Sequence, residues 1–142
     1  MESRVFIDTW GWVTLRDKSE SRHRSISRKF QELIEKKSKI FTSDYVLDET
    51  ITLLFKRLPM ESALEALEQI EFACSDNSIS LLHVDTATFF KTLAMRKKFF
   101  DQPNISFTDL SSAILMSERK ISRIISADAH FTHLGLSFEL IN

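Results

Sequence analysis

The chain has 142 residues with 19 basic and 20 acidic side chains, so its formal net charge is −1. This near-balance argues against a uniformly basic nucleic-acid coat protein, although it leaves room for a local basic patch. A hydrophobic fraction of 43% is ordinary for a globular protein and too high for a disordered one, and the length suits one domain over residues 1–142.

The rarity of glycine and cysteine excludes several kinds of site. With two glycines, the chain has no phosphate-binding glycine loop. One cysteine, Cys74, rules out a disulfide framework and a cysteine-based zinc cluster. No apolar run approaches the roughly 18 residues of a membrane span. The first residues lead directly into a short apolar run that ends at Asp8, so we expect no signal peptide and a soluble cytoplasmic protein.

Short apolar runs alternate with amphipathic segments along the chain. The apolar runs predict five strands, at 5–7, 40–42, 80–84, 124–126 and 138–141. The amphipathic segments predict five helices, at 24–38, 45–58, 60–74, 86–100 and 107–119. This alternation indicates parallel strands with helices on both faces. We therefore expect a three-layer α/β/α sandwich with a central, mainly parallel five-stranded sheet, whose strand order the sequence does not give.

The apolar spacing also predicts which side chains are buried. In the helix over 86–100, the inward residues are expected to be Phe89, Phe90, Leu93 and Phe100. Ile34 and Leu64 are expected on the core faces of their helices, and His83 inside the third strand.

Acidic residues stand where the strands of such a sheet end. Asp8 directly follows the first strand, and Asp128 follows the fourth. Asp109 lies in the first turn of a helix, and Glu49 and its neighbour Asp48 lie in the helix after the second strand. Ligands of open parallel sheets bind at this edge. Four converging carboxylates repel one another unless a cation lies between them. A hard ion such as Mg²⁺ or Mn²⁺ is suited to oxygen ligands, and it can activate water for attack on a phosphodiester.

Each acid taken alone also has a purely structural interpretation. Asp8 can cap a loop, Asp109 has the position of a capping-box acid, and Asp128 can form an Asx turn. On a helical wheel Glu49 flanks the apolar stripe, as a solvated glutamate would, and the wheel does not decide between Glu49 and Asp48. The metal-site hypothesis therefore depends on the four acids as a set.

Four segments together resemble the PIN domain family, and in particular the small single-domain proteins of the VapC toxin type. They cover nearly the whole chain: Val5-Phe6-Ile7-Asp8-Thr9, Thr42-Ser43-Asp44-Tyr45-Val46-Leu47-Asp48-Glu49-Thr50, Ser106-Phe107-Thr108-Asp109-Leu110-Ser111-Ser112-Ala113-Ile114-Leu115-Met116, and Ile125-Ser126-Ala127-Asp128-Ala129-His130-Phe131 with Gly135-Leu136 beyond.

The resemblance implies a metal-dependent endoribonuclease with an acidic cluster of Asp8, Glu49, Asp109 and Asp128, and it selects Glu49 over Asp48. Ser126 falls where such domains often carry Ser or Thr, and we expect Ser126 and Thr9 to lie just behind the acids. The resemblance also implies a homodimer and, for a true toxin, a small antitoxin partner.

Basic and aromatic residues near these segments have two interpretations each. Trp10 and Trp12 follow Asp8 and either stack on RNA bases or belong to the core or a dimer interface. The basic residues either bind RNA phosphates or form solvated helix faces; the candidates are Arg22, Arg24, Arg96, Lys97 and Lys98.

The residues can also be interpreted in terms of two other functions. One is a PIN-like scaffold that binds RNA or a protein without cleavage. The other is a phosphoacceptor receiver module, which needs an acidic pair after the first strand, where this chain has Asp8 followed by Thr9. His130 and His133 lack a third nearby nitrogen or sulfur ligand, so we do not expect a zinc site.

Overall fold

The structure is a computed structural model that describes residues 3–142. Met1 and Glu2, which belong to the start on which the signal-peptide prediction depends, lie outside the described residues. Five strands form one sheet: β1 (Arg4–Ile7), β2 (Lys39–Ser43), β3 (Ile79–Leu82), β4 (Arg123–Ile125) and β5 (Glu139–Ile141). Each lies within a few residues of a strand predicted from the sequence.

The helices are α1 (Thr9–Arg16), α2 (His23–Glu35), α3 (Asp44–Arg57), α4 (Met60–Ser75), α5 (Thr86–Lys98) and α6 (Phe107–Glu118). A 3₁₀ helix follows at Ala129–Leu134. The sequence predicted α2 to α6 but neither α1 nor the 3₁₀ helix. Side chains cap several helix starts, as predicted for α6, where Ser106 accepts the N–H of Asp109.

All strand pairs are parallel, and the strand order is β3-β2-β1-β4-β5. The chain moves outward from β1 to β2 and β3, then crosses back to β4 on the other side of β1. Because such crossovers are right-handed, α1 to α4 cover one face, and α5 and α6 cover the other. The predicted three-layer architecture is confirmed. The strand order reverses between β1 and β4, because the chain connects β1 to one side of the sheet and β4 to the other. Open parallel sheets bind their ligands at such a switch point.

Helix α1 packs very closely against the sheet beside this point. Its Trp12 is fully buried, and its indole Nε1 donates to the hydroxyl of Thr42 at 3.0 Å. A β-carbon on Gly11 would lie 2.8 Å from the carbonyl oxygen of Ile125 in β4. Only glycine allows this approach, so Gly11 sets the distance between α1 and the strand that leads to Asp128.

The prediction for the buried face of α5 was wrong. Phe90 is 63% exposed and Phe100 is 80% exposed, and Phe89 is also exposed. The buried positions of this helix are Thr88 and Thr92, with the Thr92 hydroxyl bonded to the carbonyl of Thr88. Such a bond satisfies the hydroxyl within the helix, which lets threonine pack as an apolar residue.

Three further burial predictions were wrong. His83 is exposed and lies beside Asp44, 3.5 Å from its carboxylate. Ile34 and Leu64 are exposed as well, because helices that cover a sheet bury only a narrow stripe. Among the helices of residues 3–142, none combines the length and apolar character needed to cross a bilayer.

Candidate metal centre

Asp8 lies at the end of β1 and is 4% exposed. Its Oδ1 accepts the backbone N–H of Gly11 at 2.9 Å, so this side chain also caps α1. The hydroxyl of Ser126 forms a second hydrogen bond with the carboxylate. Burial raises the pKa of Asp8 to about 7 despite these two bonds, and the nearby charges of Asp109 and Asp128 contribute to the rise.

Asp109 comes to the same place on the first turn of α6. Burial is also the main reason that its pKa rises to about 7, and the charge of Asp128 is the next cause. The carboxyl groups of Asp109 and Asp128 are within hydrogen-bonding reach. Three of the four predicted acids, from the ends of β1 and β4 and the start of α6, therefore share one electrostatic environment.

Asp128 caps the 3₁₀ helix at the end of β4. Its Oδ1 accepts the N–H of His130 at 2.9 Å, and its own N–H donates to the Ser126 hydroxyl at 3.0 Å. The ring Nδ1 of His130 lies 2.7 Å from the same oxygen without hydrogen-bond geometry. Ser126 therefore links Asp8 to Asp128, and His130 is a contact of the site that the sequence reasoning considered only for zinc.

Glu49 joins the group through Thr9 rather than through another acid. The hydroxyl of Thr9 donates to Oε1 of Glu49 at 2.9 Å. Because Thr9 directly follows Asp8, this bond orients Glu49 of α3 toward the end of β1. Its neighbour Asp48 is exposed, which agrees with the choice of Glu49.

The donor chemistry of this group fits a hard divalent cation, since all four side chains offer carboxylate oxygens. Within residues 3–142, however, no three His, Cys, Asp or Glu side chains form a group arranged to hold a metal ion. One oxygen each of Asp8 and Asp128 is bonded to a backbone N–H. A bound ion would therefore have to recruit the remaining oxygens by side-chain rotation.

The predicted RNA-binding residues differ in their contacts. The guanidinium of Arg22 donates to the main-chain oxygen of Asn142, and that of Arg96 donates to three main-chain carbonyls. Arg24, Lys97 and Lys98 are exposed. RNA binding by these five residues stays a prediction.

The two tryptophans differ in their burial. Trp12 is fully buried, and Trp10 is partly buried and packs against the core. For Trp12 this burial excludes base stacking in the folded protein.

Comparison with known proteins agrees with this architecture. The family described as PIN domain matches residues 5–136. The chain belongs to the PIN domain family. The resemblance noted from the four sequence segments is thereby confirmed, and the acids described above occupy the strand ends and helix starts of a PIN domain.

Individual PIN proteins are similar over different shares of their length. A VapC ribonuclease from Archaeoglobus fulgidus is 29% identical over 95 residues, which cover 66% of this chain and 56% of that protein. The match thus spans little more than half of that relative. The structure of VapC20 from Mycobacterium tuberculosis, described as a toxin that cleaves the sarcin-ricin loop, is 26% identical with a TM-score of 0.76. That alignment covers 92% of this chain and 95% of the other.

Two more distant structures share the PIN fold. VapBC2 from Rickettsia felis, bound to a DNA fragment from its promoter, has a TM-score of 0.73 at 17% identity and covers 98% of both chains. FitAcB from Neisseria gonorrhoeae has a TM-score of 0.65 at 14% identity, and covers 97% of this chain and 96% of the other. At these identities the likeness concerns the fold alone.

Proposed function

We propose that this PIN domain is an endoribonuclease that depends on Mg²⁺ or Mn²⁺ and acts as the toxin of a type II toxin–antitoxin pair. The observation that carries the proposal is the shared environment of Asp8, Asp109 and Asp128, in which burial and mutual repulsion hold two of the acids at a pKa of about 7. A divalent cation stabilises the ionised form of carboxylates that repel one another in this way. The names of the similar VapC proteins support RNA as the substrate.

In this proposal Asp8, Glu49, Asp109 and Asp128 hold the ion. A bound divalent cation would supply positive charge to the phosphate oxygens and lower the pKa of water at the site. The protein's own residues fix the geometry. Gly11 and Ser126 orient Asp8, and Thr9 orients Glu49.

Ser126 has a double role in this arrangement. Its hydroxyl bonds to the Asp8 carboxylate and accepts the N–H of Asp128. One hydroxyl therefore contacts residues at both strand ends. We propose that these contacts help to orient the two acids for an in-line displacement at phosphorus.

The proposal also covers the oligomeric state, the partner protein and the cellular location. We propose that residues 1–142 form a single PIN-like domain that acts in the cytoplasm as a homodimer, with a small antitoxin as its partner. The exposed phenylalanines of α5 are consistent with a second chain covering that face, since exposed apolar patches are typical of interfaces. Exposed basic side chains such as Lys97 are proposed to hold RNA phosphates.

Cleavage of a mixed RNA pool tests the activity. Wild-type protein with Mn²⁺ or Mg²⁺ should cut the pool, and EDTA should stop the reaction. Asp8→Asn should abolish cleavage nearly completely, since it removes a ligand charge while the asparagine oxygen can still cap α1. Glu49→Gln should impair cleavage strongly, whereas the matched change Asp48→Asn on the exposed side of α3 should not. Cleavage that persists in EDTA or in Asp8→Asn would refute the proposal.

The second candidate is a PIN-like scaffold that binds RNA or a protein without cleavage. It is favoured by the observation that no three potential ligands in residues 3–142 are arranged to hold an ion. Titration calorimetry distinguishes the two. Binding of Mn²⁺ at millimolar concentration or below supports the nuclease, and absence of binding supports the scaffold.

A further inference from the structure

Arg96 near the end of α5 binds the segment that joins α5 to α6. Its Nη2 donates to the carbonyls of Phe99 at 2.6 Å and Gln102 at 2.8 Å, and its Nη1 donates to the carbonyl of Ile105. A guanidinium presents five donors in a rigid plane, so one side chain can hold several carbonyls at once. Arg96 thereby gathers residues 99–105 into a closed loop.

This loop ends at the helix that carries Asp109. Ile105 is buried, so the carbonyl held by Arg96 belongs to a residue anchored in the core. Ser106 follows as the N-cap of α6 and accepts the N–H of Asp109 at 3.0 Å. Arg96, Ile105 and Ser106 therefore form a continuous series of contacts that leads to Asp109.

The position of Asp109 depends on where α6 begins, because Asp109 lies in the first turn of that helix. A displacement of about 1 Å in a catalytic group can reduce turnover by about 100-fold. Contacts that fix the start of α6 therefore bear directly on the proposed site.

We propose that Arg96 is a positioning residue for Asp109, holding the first turn of α6 through the carbonyl of Ile105. The proposal rests on the function proposed above for the acidic site. It differs from the interpretation of the sequence, in which Arg96 binds RNA phosphate, because the guanidinium already donates to three carbonyls of its own chain.

The test compares Arg96→Ala and Arg96→Lys with Lys97→Ala, a matched loss of one positive charge from the neighbouring position of α5. Amide hydrogen exchange at residues 105–109 should accelerate about tenfold in Arg96→Ala and remain unchanged in Lys97→Ala. In RNA cleavage, Arg96→Ala should lower kcat at least about tenfold with KM within twofold, and the Mn²⁺ concentration for half-maximal rate should rise.

Arg96→Lys should fall between the wild type and Arg96→Ala, because a single ammonium cannot span all three carbonyls. If Arg96→Ala does not fold, the same comparison is made with Arg96→Lys. A raised KM with unchanged kcat would assign Arg96 to RNA binding and overturn the proposal. Unchanged exchange at 105–109, or lower stability with unchanged kcat, would overturn it as well.

Failure of the proposed nuclease function can be distinguished from failure of the positioning role of Arg96. A wild-type protein that binds Mn²⁺ but cleaves no RNA refutes the nuclease, while Mn²⁺ affinity by calorimetry still reports on Arg96. Weaker Mn²⁺ binding in Arg96→Ala than in Lys97→Ala supports the positioning role, and equal affinity excludes it.

Discussion

The carboxyl groups of Asp109 and Asp128 lie within hydrogen-bonding reach, although the two residues belong to different elements of the fold. Burial, followed by the charge of Asp128, raises the pKa of Asp109 to about 7. Near neutral pH a proton therefore resides on this pair for part of the time. A divalent cation and a proton are alternative ways to relieve the same repulsion.

The first prediction concerns stability against pH in EDTA. Asp8 has a pKa of about 7 when folded and 3.8 as its ordinary value, so the folded state binds more protons between these limits. The free energy of unfolding should therefore fall as pH rises from about 4 to 7, by about 1 to 4 kcal/mol, and level off above. Thermal melts from pH 5 to 8 measure this change. Asp8→Asn should reduce the slope of the curve, with the remaining slope due to Asp109, and Asp48→Asn should leave the slope unchanged. Identical curves for the wild type and Asp8→Asn would contradict the assignment.

The second prediction concerns the cation. At pH 8 Asp8 and Asp109 are mostly ionised, so Mn²⁺ can bind to their carboxylates without displacing protons. Saturating Mn²⁺ should raise Tm by several degrees at pH 8 and clearly less at pH 5, as expected for a ligand that binds only the folded state. Asp109→Asn should lose most of the increase. An increase of the same size at both pH values would exclude these two carboxylates as its origin.

The third prediction concerns the packing of α1 on β4. Gly11→Ala would bring a β-carbon to 2.8 Å from the Ile125 carbonyl oxygen and 2.9 Å from the Ile7 side chain. The helix must then move, and we expect destabilisation by about 1 to 3 kcal/mol with reduced Mn²⁺ affinity, since Asp8 caps this helix. Denaturant unfolding measures the change.

Gly135 provides the matched control for Gly11. It has φ +70°, and a β-carbon there would meet no atom within 4 Å. Gly135→Ala should therefore show only the strain of a left-handed backbone, about 1 kcal/mol, with unchanged Mn²⁺ affinity. Equal effects of the two substitutions on metal affinity would argue against the link between α1 packing and the site.

The fourth prediction concerns Thr9. Thr9→Val removes the hydroxyl that donates to Glu49 at 2.9 Å. Glu49 then loses its orientation, and we expect kcat for RNA cleavage to fall about tenfold while Tm changes little, because the bond is only partly buried. Thr9→Ser keeps the hydroxyl and should restore most of the activity. Equal cleavage activity of the valine and serine variants would show that the hydrogen bond from Thr9 to Glu49 does not contribute to catalysis.

The strands were predictable because each contains a short run of apolar residues, fully buried in β1 at Val5, Phe6 and Ile7. Helix α1 was not, because it is eight residues long and contains glycine, which weakens any helical pattern. A local cap from Asp8 and the burial of Trp12 against the sheet stabilise this helix instead. The buried face of α5 was mispredicted because Thr88 and Thr92, rather than the phenylalanines, point into the core. The Thr92 hydroxyl bonds to the carbonyl of Thr88 within the helix, so that its burial needs no other partner.

Parts of the site were predictable for the same topological reason. Parallel strands bring Asp8 and Asp128 to one edge of the sheet, and the start of α6 brings Asp109 near Asp128. The function of these acids stays a prediction. The series from Arg96 to Ser106 could not be foreseen, because its guanidinium contacts depend on how residues 99–105 turn back. In the sequence, Arg96 followed by two lysines indicates only a charged, solvent-exposed helix end.

The strand order has a further consequence for synthesis of the protein. Because β1 pairs with β4, whose residues are made more than a hundred positions later, the acidic edge cannot close on a ribosome that has delivered only the first half of the polypeptide. A nascent chain that ends before β4 would contain Asp8, Glu49 and Asp109, but it would lack Asp128 and the strand that pairs with β1. Under the proposed nuclease function, activity would therefore require nearly complete molecules rather than growing or prematurely terminated ones.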